Sequence, residues 1–355
     1  MSEIESDSVD LLITSPPYPM IEMWDSLFSS LNEDIKDALE EEDGKRAFDI
    51  MHDELDKIWK ESARVIKSGG IVCVNIGDAT RTINKNFQLF PNHVRIANFF
   101  RENGFIVLPC ILWRKPNNSP NKFMGSGMLP PNAYITLEHE YILIFRKDES
   151  KRKFPPKSKY RYNSAYFWEE RNKWFSDLWF DIRGVQQNLN NNVKLRERTA
   201  AFPLELPYRL INMFSIYGDT VIDPFWGTGT TSIAAMILAR NSIGYELNPE
   251  FIELFKKNVK KVKGLTETIN IDRLEEHIEF IKKYKIDKKN TKYKSVNYNF
   301  PVITSQEIEI QFYSIDKINE KENEYTLNHE KFEFERKKKL VQSRLIPINS
   351  KKLSL

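Results

Sequence analysis

Two short segments of the sequence contain residues whose types and spacing could carry out chemistry. Ser15-Pro16-Pro17-Tyr18 lies near the beginning of the chain, and Asp223-Pro224-Phe225-Trp226-Gly227-Thr228-Gly229-Thr230 lies far downstream. The first segment combines a hydroxyl, two rigid prolines and an aromatic ring, whereas the second combines an acid with closely spaced glycines. The first suits the activation of a reacting group, and the second suits the binding of a ligand against the backbone.

The Ser15–Tyr18 segment has the groups needed to activate an amino group on a nucleic-acid base. Such an amine is a poor nucleophile because its lone pair is delocalised into the ring. The Ser15 hydroxyl and the Pro16 carbonyl could accept its hydrogen bonds and draw the nitrogen toward a tetrahedral geometry, while Pro17 helps to fix the backbone. Tyr18 could stack on an extruded base. Taken alone, these four residues are equally typical of a surface turn.

The glycine-rich segment predicts a nucleotide-type cradle. A strand ends at Asp223, a turn contains Gly227 and Gly229, and a helix opens at Thr230. Glycines let the backbone approach a ligand closely, and the helix N-terminus offers free N–H groups and a positive dipole end. Glu246, at the tip of the next strand, could accept hydrogen bonds from both hydroxyls of a ribose.

The ligand predicted for this cradle is an adenosyl compound without phosphates. A dinucleotide site would have a third glycine where Thr231-Ser232 stand, and a phosphate-binding loop would have a Gly-Lys pair that this segment lacks. Asp223 would repel a pyrophosphate but can hold a sulfonium or an amino group. A plain turn between a strand and a helix is the remaining alternative.

The elements that must position these segments alternate between strand and helix. Apolar runs typical of strands cover residues 9–13, 71–78, 105–113, 141–145, 221–223 and 242–246. Apolar residues recur at helical spacing over 51–66, where Ser68-Gly69-Gly70 is the predicted helix end, and helices are also predicted over 94–100 and 230–240. This alternation predicts an α/β fold with a parallel or mixed sheet covered on both faces.

The composition is that of an ordinary globular enzyme, with 41% hydrophobic and 29% charged residues. No apolar run reaches the roughly 18 residues that a membrane helix needs, and the acidic N-terminus shows no signal-peptide pattern. Cys73 and Cys110 lie in apolar runs, so we expect no disulfide framework and a cytoplasmic location. The histidines show no metal-ligand spacing, so no metal site is expected. Because the net charge is only +3, nucleic-acid affinity must come from local asymmetry.

Between the two segments the composition changes. Residues 146–173 contain ten basic and four acidic residues, and ten aromatic residues are interleaved over 154–180. Basic side chains could neutralise phosphates, and Trp and Tyr could wedge into stacked bases. An aromatic mini-core with a lysine-rich rim is the alternative interpretation. The two interpretations do not exclude each other.

In combination, these segments resemble the amino-methyltransferases of restriction–modification systems. The catalytic segment comes first and the cofactor segment last, an order similar to the β group of that family. Residues 64–70, 113–117, 139–143 and 198–207 resemble further blocks of the family. The resemblance covers residues 8–256 apart from the aromatic insert.

The resemblance implies a doubly wound, Rossmann-like methyltransferase sheet with an inserted target-recognition region. It implies S-adenosyl-L-methionine as the cofactor, double-stranded DNA as the partner, and direct in-line transfer to a flipped base without a metal. A cognate restriction endonuclease is a further candidate partner, and the oligomeric state is left open. The implied catalytic residues are Ser15, Pro16, Pro17 and Tyr18, and the implied cofactor-binding residues are Asp223, Phe225, Gly227, Gly229, Thr230 and Glu246, with Phe202 and Pro203 lining the methionine pocket.

The resemblance also implies a division of the chain. Residues 1–149 would form the catalytic half of the methyltransferase domain, 150–196 the target-recognition insert, 197–262 the cofactor-binding half and 263–355 a C-terminal appendage. Two departures from the family pattern stand out. Few residues precede the catalytic segment, so either a C-terminal element such as 308–313 completes the sheet or that edge is rebuilt differently. Arg198-Thr199 replace the His-Pro pair that the family often has.

The amine that receives the methyl group is predicted from Ser15. Adenine enzymes commonly have Asp or Asn at this position, so Ser15 favours N4 of cytosine, whose neighbouring N3 suits a hydroxyl that can donate or accept. N6 of adenine is the alternative. An RNA or protein N-methyltransferase is a more distant one, and a catalytically silent DNA-binding regulator is the non-enzymatic one.

Overall fold

A seven-stranded mixed sheet forms the centre of the molecule in the computed structural model, which describes residues 1–115, 124–183, 202–286, 291–322 and 324–334. The strands are β1 (Val9–Thr14), β2 (Ile66–Ile76), β3 (Ala79–Ile83), β4 (Asn86–Phe90), β5 (Phe105–Arg114), β6 (Met124–Gly125), β7 (Ala133–Tyr134), β8 (His139–Lys147), β9 (Leu178–Trp179), β10 (Thr220–Asp223), β11 (Asn241–Gly244), β12 (Tyr293–Lys294), β13 (Pro301–Val302), β14 (Tyr313–Lys321) and β15 (Glu324–Lys331). The strand order of the central sheet is β11-β10-β1-β2-β8-β5-β9.

Helices flank this sheet. They are α1 (Asp25–Leu31), α2 (Glu33–Glu40), α3 (Gly44–Val65), α4 (Asn92–Glu102), α5 (Lys159–Asn163), α6 (Trp168–Trp174), α7 (Glu205–Phe214), α8 (Thr230–Ile237), α9 (Pro249–Val259) and α10 (Val262–Ile286). Two short 3-10 helices cover Glu22–Trp24 and Ser305–Glu307. Within the described ranges, no helix is both long and apolar enough to cross a membrane.

The central strand β1 is buried on both faces, as its continuous apolar run predicts. Leu11 and Ile13 point into one hydrophobic core, which includes Ile211 of α7, whereas Leu12 points into a second core, which includes Trp59 of α3. Successive residues of a strand face opposite sides, so this split places helices on both faces of the sheet. The predicted doubly wound α/β fold is confirmed.

The register of the strands brings the ends of β1, β2, β8 and β10 to one edge of the sheet. Strand β1 runs parallel to β10 and to β2, with Leu12 opposite Ile222 and Thr14 opposite Val74. Strand β8 runs antiparallel to β2, so it begins where β2 ends. Residues that follow Thr14, residues near the end of β2 and residues at the start of β8 therefore meet.

Helix α3 ends earlier than the sequence pattern predicts. Its apolar face includes Met51 and Trp59, as expected, but the helix stops at Val65 and β2 begins at the next residue. The prediction that Ser68-Gly69-Gly70 ends the helix is wrong. These glycines lie inside β2, where Gly69 has a φ of +76° and the register with β1 shifts. Glycine at this position allows the left-handed backbone of an irregular strand and does not end a helix.

Of the two alternatives for the sheet edge, the structure excludes completion of the sheet by residues 308–313. Among the described residues, β11 pairs with β10 alone, and β14 and β15 form a separate antiparallel hairpin that lies against α8 and α10. The opposite edge is formed by β9 of the aromatic insert, which pairs parallel with β5. An element that sequence reasoning assigned to an insert is thus part of the sheet.

The described part of the insert packs against α10 and the segment that follows it. A third hydrophobic core joins the two regions; its buried members are Phe167, Leu274, Phe300, Val302, Ile310 and Phe312. Beside it, Arg273 donates to both carboxylate oxygens of Glu170 at 2.5 and 2.8 Å. The proposed boundaries at residues 150, 197 and 263 remain a prediction, because these contacts do not divide the chain there.

A buried acid–histidine contact lies at the same junction. The Nδ1 atom of His277 is 2.7 Å from Glu169, and its Nε2 atom is 3.0 Å from the carbonyl oxygen of Pro301. Burial is the largest single influence and lowers the pKa of His277, but Glu169, the Pro301 carbonyl and Glu307 together raise it, so the net direction is upward. With Glu307 these side chains place three potential metal-ligating atoms within 4.8 Å, a grouping that the sequence spacing did not predict.

Candidate active site

The two segments singled out in the sequence meet at the shared edge of the sheet. Thr14, the last residue of β1, donates from Oγ1 to Oδ1 of Asp223, the last residue of β10, at 2.6 Å. Both side chains are buried. This hydrogen bond links the Ser15–Tyr18 turn, which starts one residue later, to the glycine-rich turn. We call these the catalytic turn (residues 15–18) and the cofactor turn (residues 223–230).

Asp223 is held by hydrogen bonds from three directions. Besides Thr14, the backbone N–H of Phe225 donates to Oδ1 at 3.1 Å and the Thr231 hydroxyl donates to Oδ2 at 2.7 Å. Burial is the main influence and raises the pKa of Asp223 to about 6, although these three donors lower it. The carboxylate therefore fixes the base of the cofactor turn.

The glycines of the cofactor turn meet strict steric demands. Gly229 caps α8 at a φ of +76°, and a Cβ built on it would lie 2.4 Å from the Phe255 ring. Gly227 has a φ of +53°, and its N–H donates to Glu246 at 2.8 Å. The second oxygen of Glu246 accepts from the N–H of Asn248 at 2.7 Å. The predicted acid thus lies directly against the glycine turn.

The aromatic residues of the cofactor turn anchor it on both sides. The Phe225 ring meets Trp59 of α3 edge-on, with 5.7 Å between centroids. Trp226 donates from Nε1 to the Ser232 hydroxyl at 2.7 Å, and its ring packs against Phe255. Phe225 is therefore a packing residue in the described structure.

The remaining predicted cofactor residues lie around the same turn. Thr230 opens α8, and its Oγ1 atom is 3.3 Å from that of Thr228. Phe202 and Pro203 are buried just ahead of α7, and Phe202 belongs to the core that contains Leu11. Arg198-Thr199, the departure noted in the sequence, lie outside the described residues.

The catalytic turn is held by polar side chains from β2, from β8 and from the residue that follows β5. The hydroxyls of Ser15 and Tyr18 are 3.1 Å apart, and Tyr18 donates to Oε2 of Glu140 at 2.9 Å. Asn75 donates from Nδ2 to Glu140 at 2.7 Å and to Tyr18 at 2.9 Å, and lies 3.4 Å from Ser15 Oγ. Lys115 pairs with the other oxygen of Glu140. Burial raises the pKa of Tyr18, and the Glu140 charge raises it further.

Sequence reasoning missed Thr14, Asn75, Lys115 and Glu140 as site residues. Asn75 and Glu140 each carried a usable signal, because a polar residue in an otherwise apolar strand needs a partner. Their mutual placement depends on the antiparallel pairing of β2 and β8, which no local pattern reveals. Lys115 directly follows β5. It lies in the block 113–117 that resembles the family, as Glu140 lies in 139–143, but the resemblance gave neither residue a role.

Comparisons with known proteins agree with this geometry. A family model described as DNA methylase, N6_N4_Mtase, matches residues 9–257. The chain belongs to this DNA methylase family. It is 57% identical over 281 residues to the type II methyltransferase M.MthZI of Methanothermobacter thermautotrophicus, with 79% of each protein covered. It is 53% identical over 270 residues to M.MjaI of Methanocaldococcus jannaschii, with 73% of this chain and 88% of the relative covered.

A solved structure supports the same assignment. A proposed DNA modification methylase from Thermus thermophilus, determined in complex with S-adenosyl-L-methionine, is 31% identical and superposes with a TM-score of 0.57 over 74% of this chain and 89% of that protein. The enzyme is thus an S-adenosylmethionine-dependent amino DNA methyltransferase of the restriction–modification type, and DNA is its substrate. The family, cofactor and DNA partner expected from the sequence are confirmed.

The residues of the cofactor turn fit this cofactor. Gly227 and Gly229 have backbone conformations that favour glycine, Gly229 leaves no space for a side chain, and the first turn of α8 has free N–H groups next to them. Glu246 lies within hydrogen-bond distance of the Gly227 N–H, at the tip of β11. An adenosyl compound without phosphates matches a cradle that pairs backbone donors with two carboxylates.

Proposed function

We propose that this methyltransferase modifies N4 of cytosine in duplex DNA and that the catalytic turn activates the amine. The observation that carries the proposal is the position of the Ser15 hydroxyl at the end of β1, in contact with Tyr18 and Asn75. A neutral hydroxyl at this point can accept a hydrogen bond from a flipped base without bringing a second charge beside Glu140.

The donors around Ser15 leave one of its lone pairs available. Glu140 is an acceptor, so the Tyr18 hydrogen points to it, and Asn75 Nδ2 is a donor. The Ser15 hydrogen then points to the Tyr18 oxygen, and Ser15 Oγ accepts from the amine. The Pro16 carbonyl is the second acceptor of the amine.

The preference for cytosine over adenine rests on residue 15. An Asp or Asn here is common in adenine enzymes, and an Asp would add a second carboxylate close to Glu140, where like charges repel. Serine avoids that repulsion, and its hydroxyl can turn between the N4 amine and the N3 acceptor of cytosine. N6 of adenine is the alternative target.

The bound cofactor supplies an electrophilic methyl group, and the cofactor turn would hold it. We propose that Gly227, Gly229 and Thr230 form its backbone cradle and that Glu246 accepts from its ribose hydroxyls. Asp223 supplies negative charge for its cationic groups. Phe225, Phe202 and Pro203 would provide apolar walls, as the family resemblance implies.

The insert 150–196 is proposed to contact the DNA, but with fewer aromatic wedges than its composition suggests. Trp174 and Trp179 are buried in the core that contains Leu11, and Phe167 is buried in the third core, so these three rings cannot enter a stack of bases. Tyr160 and Phe180 are 67% and 58% exposed and can reach DNA. We therefore propose phosphate contacts by the basic residues, with few aromatic contacts.

A cognate restriction endonuclease and a cytoplasmic location are part of the same proposal. A type II methyltransferase relative is consistent with an endonuclease partner, and the genomic DNA of the host is the substrate to be protected. Comparing host methylation with and without the gene would test whether the host genome is the substrate.

The target base is tested by mass spectrometry of nucleosides. Unmethylated plasmid DNA is incubated with the purified enzyme and methyl-labelled S-adenosylmethionine, digested and analysed; Ser15→Ala is the matched control. N4-methylcytosine that depends on Ser15 is the expected product. N6-methyladenine without N4-methylcytosine would overturn the choice of base, whereas an absence of label in DNA would overturn the proposed reaction itself.

A further inference from the structure

Methyl transfer to an exocyclic amine requires an acceptor for one proton. The nitrogen forms a bond to the methyl carbon while the carbon–sulfur bond breaks, and the electron pair of that bond leaves on sulfur. The nitrogen then carries a positive charge and must release a proton to become the neutral methylated amine. Ser15 cannot keep this proton, because a protonated alcohol is a strong acid. The proton must move on to a stronger base.

The polar network of the catalytic turn connects Ser15 to such a base. Ser15 Oγ is 3.1 Å from the Tyr18 hydroxyl, which donates to Glu140 Oε2 at 2.9 Å. Both distances allow hydrogen bonds, and the hydrogens point from Ser15 to Tyr18 to Glu140, because the carboxylate can only accept. Among the described residues, Glu140 is the only carboxylate in this chain of contacts, and its side chain is 9% exposed.

We propose that Glu140 receives the proton of the methylated amine through the hydroxyls of Ser15 and Tyr18. The amine proton passes to Ser15 Oγ, the Ser15 hydroxyl proton passes to Tyr18, and the Tyr18 proton passes to Glu140. Each hydroxyl gains one proton and loses one, so both end as they began. The products are the methylated amine, the demethylated cofactor and a protonated Glu140. This inference rests on the amino-methyl transfer proposed above.

Two neighbouring side chains fit Glu140 for this task. Asn75 donates to both Tyr18 and Glu140, which fixes their distance. Lys115 pairs with the other oxygen of Glu140, and it balances the buried charge before the proton arrives. The Lys115 side chain is 33% exposed, so the pair lies at the boundary between the buried network and solvent. Protonated Glu140 can therefore return its proton to water between turnovers.

Glu140 acts through Tyr18 and does not touch the base in this scheme, so it must be distinguished from a residue that only holds Tyr18 in place. A positioning role alone would be preserved by Glu140→Gln, since an amide oxygen still accepts from Tyr18. A proton acceptor is lost in that variant, because an amide is a far weaker base. Glu140→Asp keeps the base at a greater distance.

The matched control is Glu138→Gln. Glu138 lies two residues away, and its carboxylate pairs with Arg114 rather than with the network. The change removes one carboxylate directly before β8 and leaves the relay intact. We expect its transfer rate, cofactor Kd and KM for DNA to equal those of the wild type.

The experiment measures single-turnover methyl transfer to duplex DNA, with cofactor binding by calorimetry and the KM for DNA as separate measurements. For Glu140→Gln we expect an unchanged cofactor Kd, an unchanged KM and a transfer rate lower by about 10²-fold, the usual size of general-base catalysis. Glu140→Asp recovers part of the rate.

A double variant makes the result independent of any one substitution. Tyr18→Phe interrupts the relay one step earlier and keeps the ring, so we expect a loss similar to that of Glu140→Gln. In the Tyr18→Phe/Glu140→Gln enzyme the losses do not multiply, because both remove one pathway. Multiplying losses, or a Glu140→Gln enzyme with the wild-type transfer rate, would overturn the relay. A wild-type enzyme that does not methylate DNA would instead overturn the proposed function.

Discussion

The catalytic turn and the cofactor turn lie side by side but are built in different ways. The cofactor turn depends on backbone: Gly229 has a positive φ and leaves no space for a side chain. The catalytic turn follows β1 and depends on side chains from β2 and β8, which meet it only because these three strands pair in this register. Changes to the cofactor turn should therefore lower the affinity for the cofactor, whereas changes to the side chains around the catalytic turn should lower the rate of methyl transfer.

The largest expected effect is that of Gly229→Ala on the cofactor turn. A left-handed backbone costs a residue with a Cβ about 1–2 kcal/mol, and overpacking against Phe255 adds about 1–3 kcal/mol. We expect a lower free energy of unfolding and a large loss of cofactor affinity. Thermal denaturation and calorimetry with S-adenosylmethionine measure the two.

Gly218→Ala is the matched control for that change. Gly218 has a φ of +81°, similar to that of Gly229, but a Cβ built on it would meet no atom within 4 Å. Gly218→Ala therefore has the energetic cost of a left-handed backbone but not the cost of a steric clash. Equal losses of stability and cofactor affinity in the two variants would show that close packing of the cofactor turn does not matter.

A smaller effect is expected from Thr14→Val, which removes the hydrogen bond between the two turns. A buried acceptor that loses a donor costs about 1–3 kcal/mol. Thr231→Val removes a donor from the other oxygen of Asp223 without touching the strand that leads into the catalytic turn. We expect similar losses of stability in both, and a slower methyl transfer for Thr14→Val alone. Equal transfer rates would mean that the two turns are not coupled through Asp223.

The smallest effect is a pH dependence of cofactor affinity. The pKa of Asp223 is about 6 in the folded protein, above the ordinary 3.8, so the folded state binds this proton more tightly than the unfolded state. Ionisation of Asp223 therefore lowers stability as pH rises from 3.8 to about 6. A cationic cofactor favours the ionised form, so its affinity should fall as pH drops through about 6. Calorimetry between about pH 5 and 8 should show this fall in the wild type and a flatter profile in Asp223→Asn.

Much of the cofactor turn could be predicted from the sequence, because its determinants are local. A strand, two glycines and a helix start are consecutive, and Glu246 follows at the next strand tip. The four residues of the catalytic turn were also found. Their partners were not, since Asn75 and Glu140 come together through long-range strand pairing.

The fold shows the same limit. The α/β alternation was predictable from apolar runs. The position of the glycines after α3 inside β2, and the position of residues 308–313 outside the central sheet, were not predictable in this way. In the sequence, Gly69 and Gly70 are typical of a helix end. In the structure they lie in β2, where its register with β1 shifts. Likewise, the aromatic residues of the insert could line DNA or form a core, and only the packing of Trp174 and Trp179 against the sheet distinguishes buried from exposed.

The most direct test of the difference between the turns is a pair of measurements on Ser15→Ala: cofactor affinity by calorimetry and single-turnover transfer of labelled methyl to duplex DNA. The side-chain role of the catalytic turn predicts an unchanged Kd for S-adenosylmethionine and a transfer rate lower by about 10²-fold. An unchanged transfer rate, or a loss of cofactor affinity that accounts for the whole decrease, would contradict it.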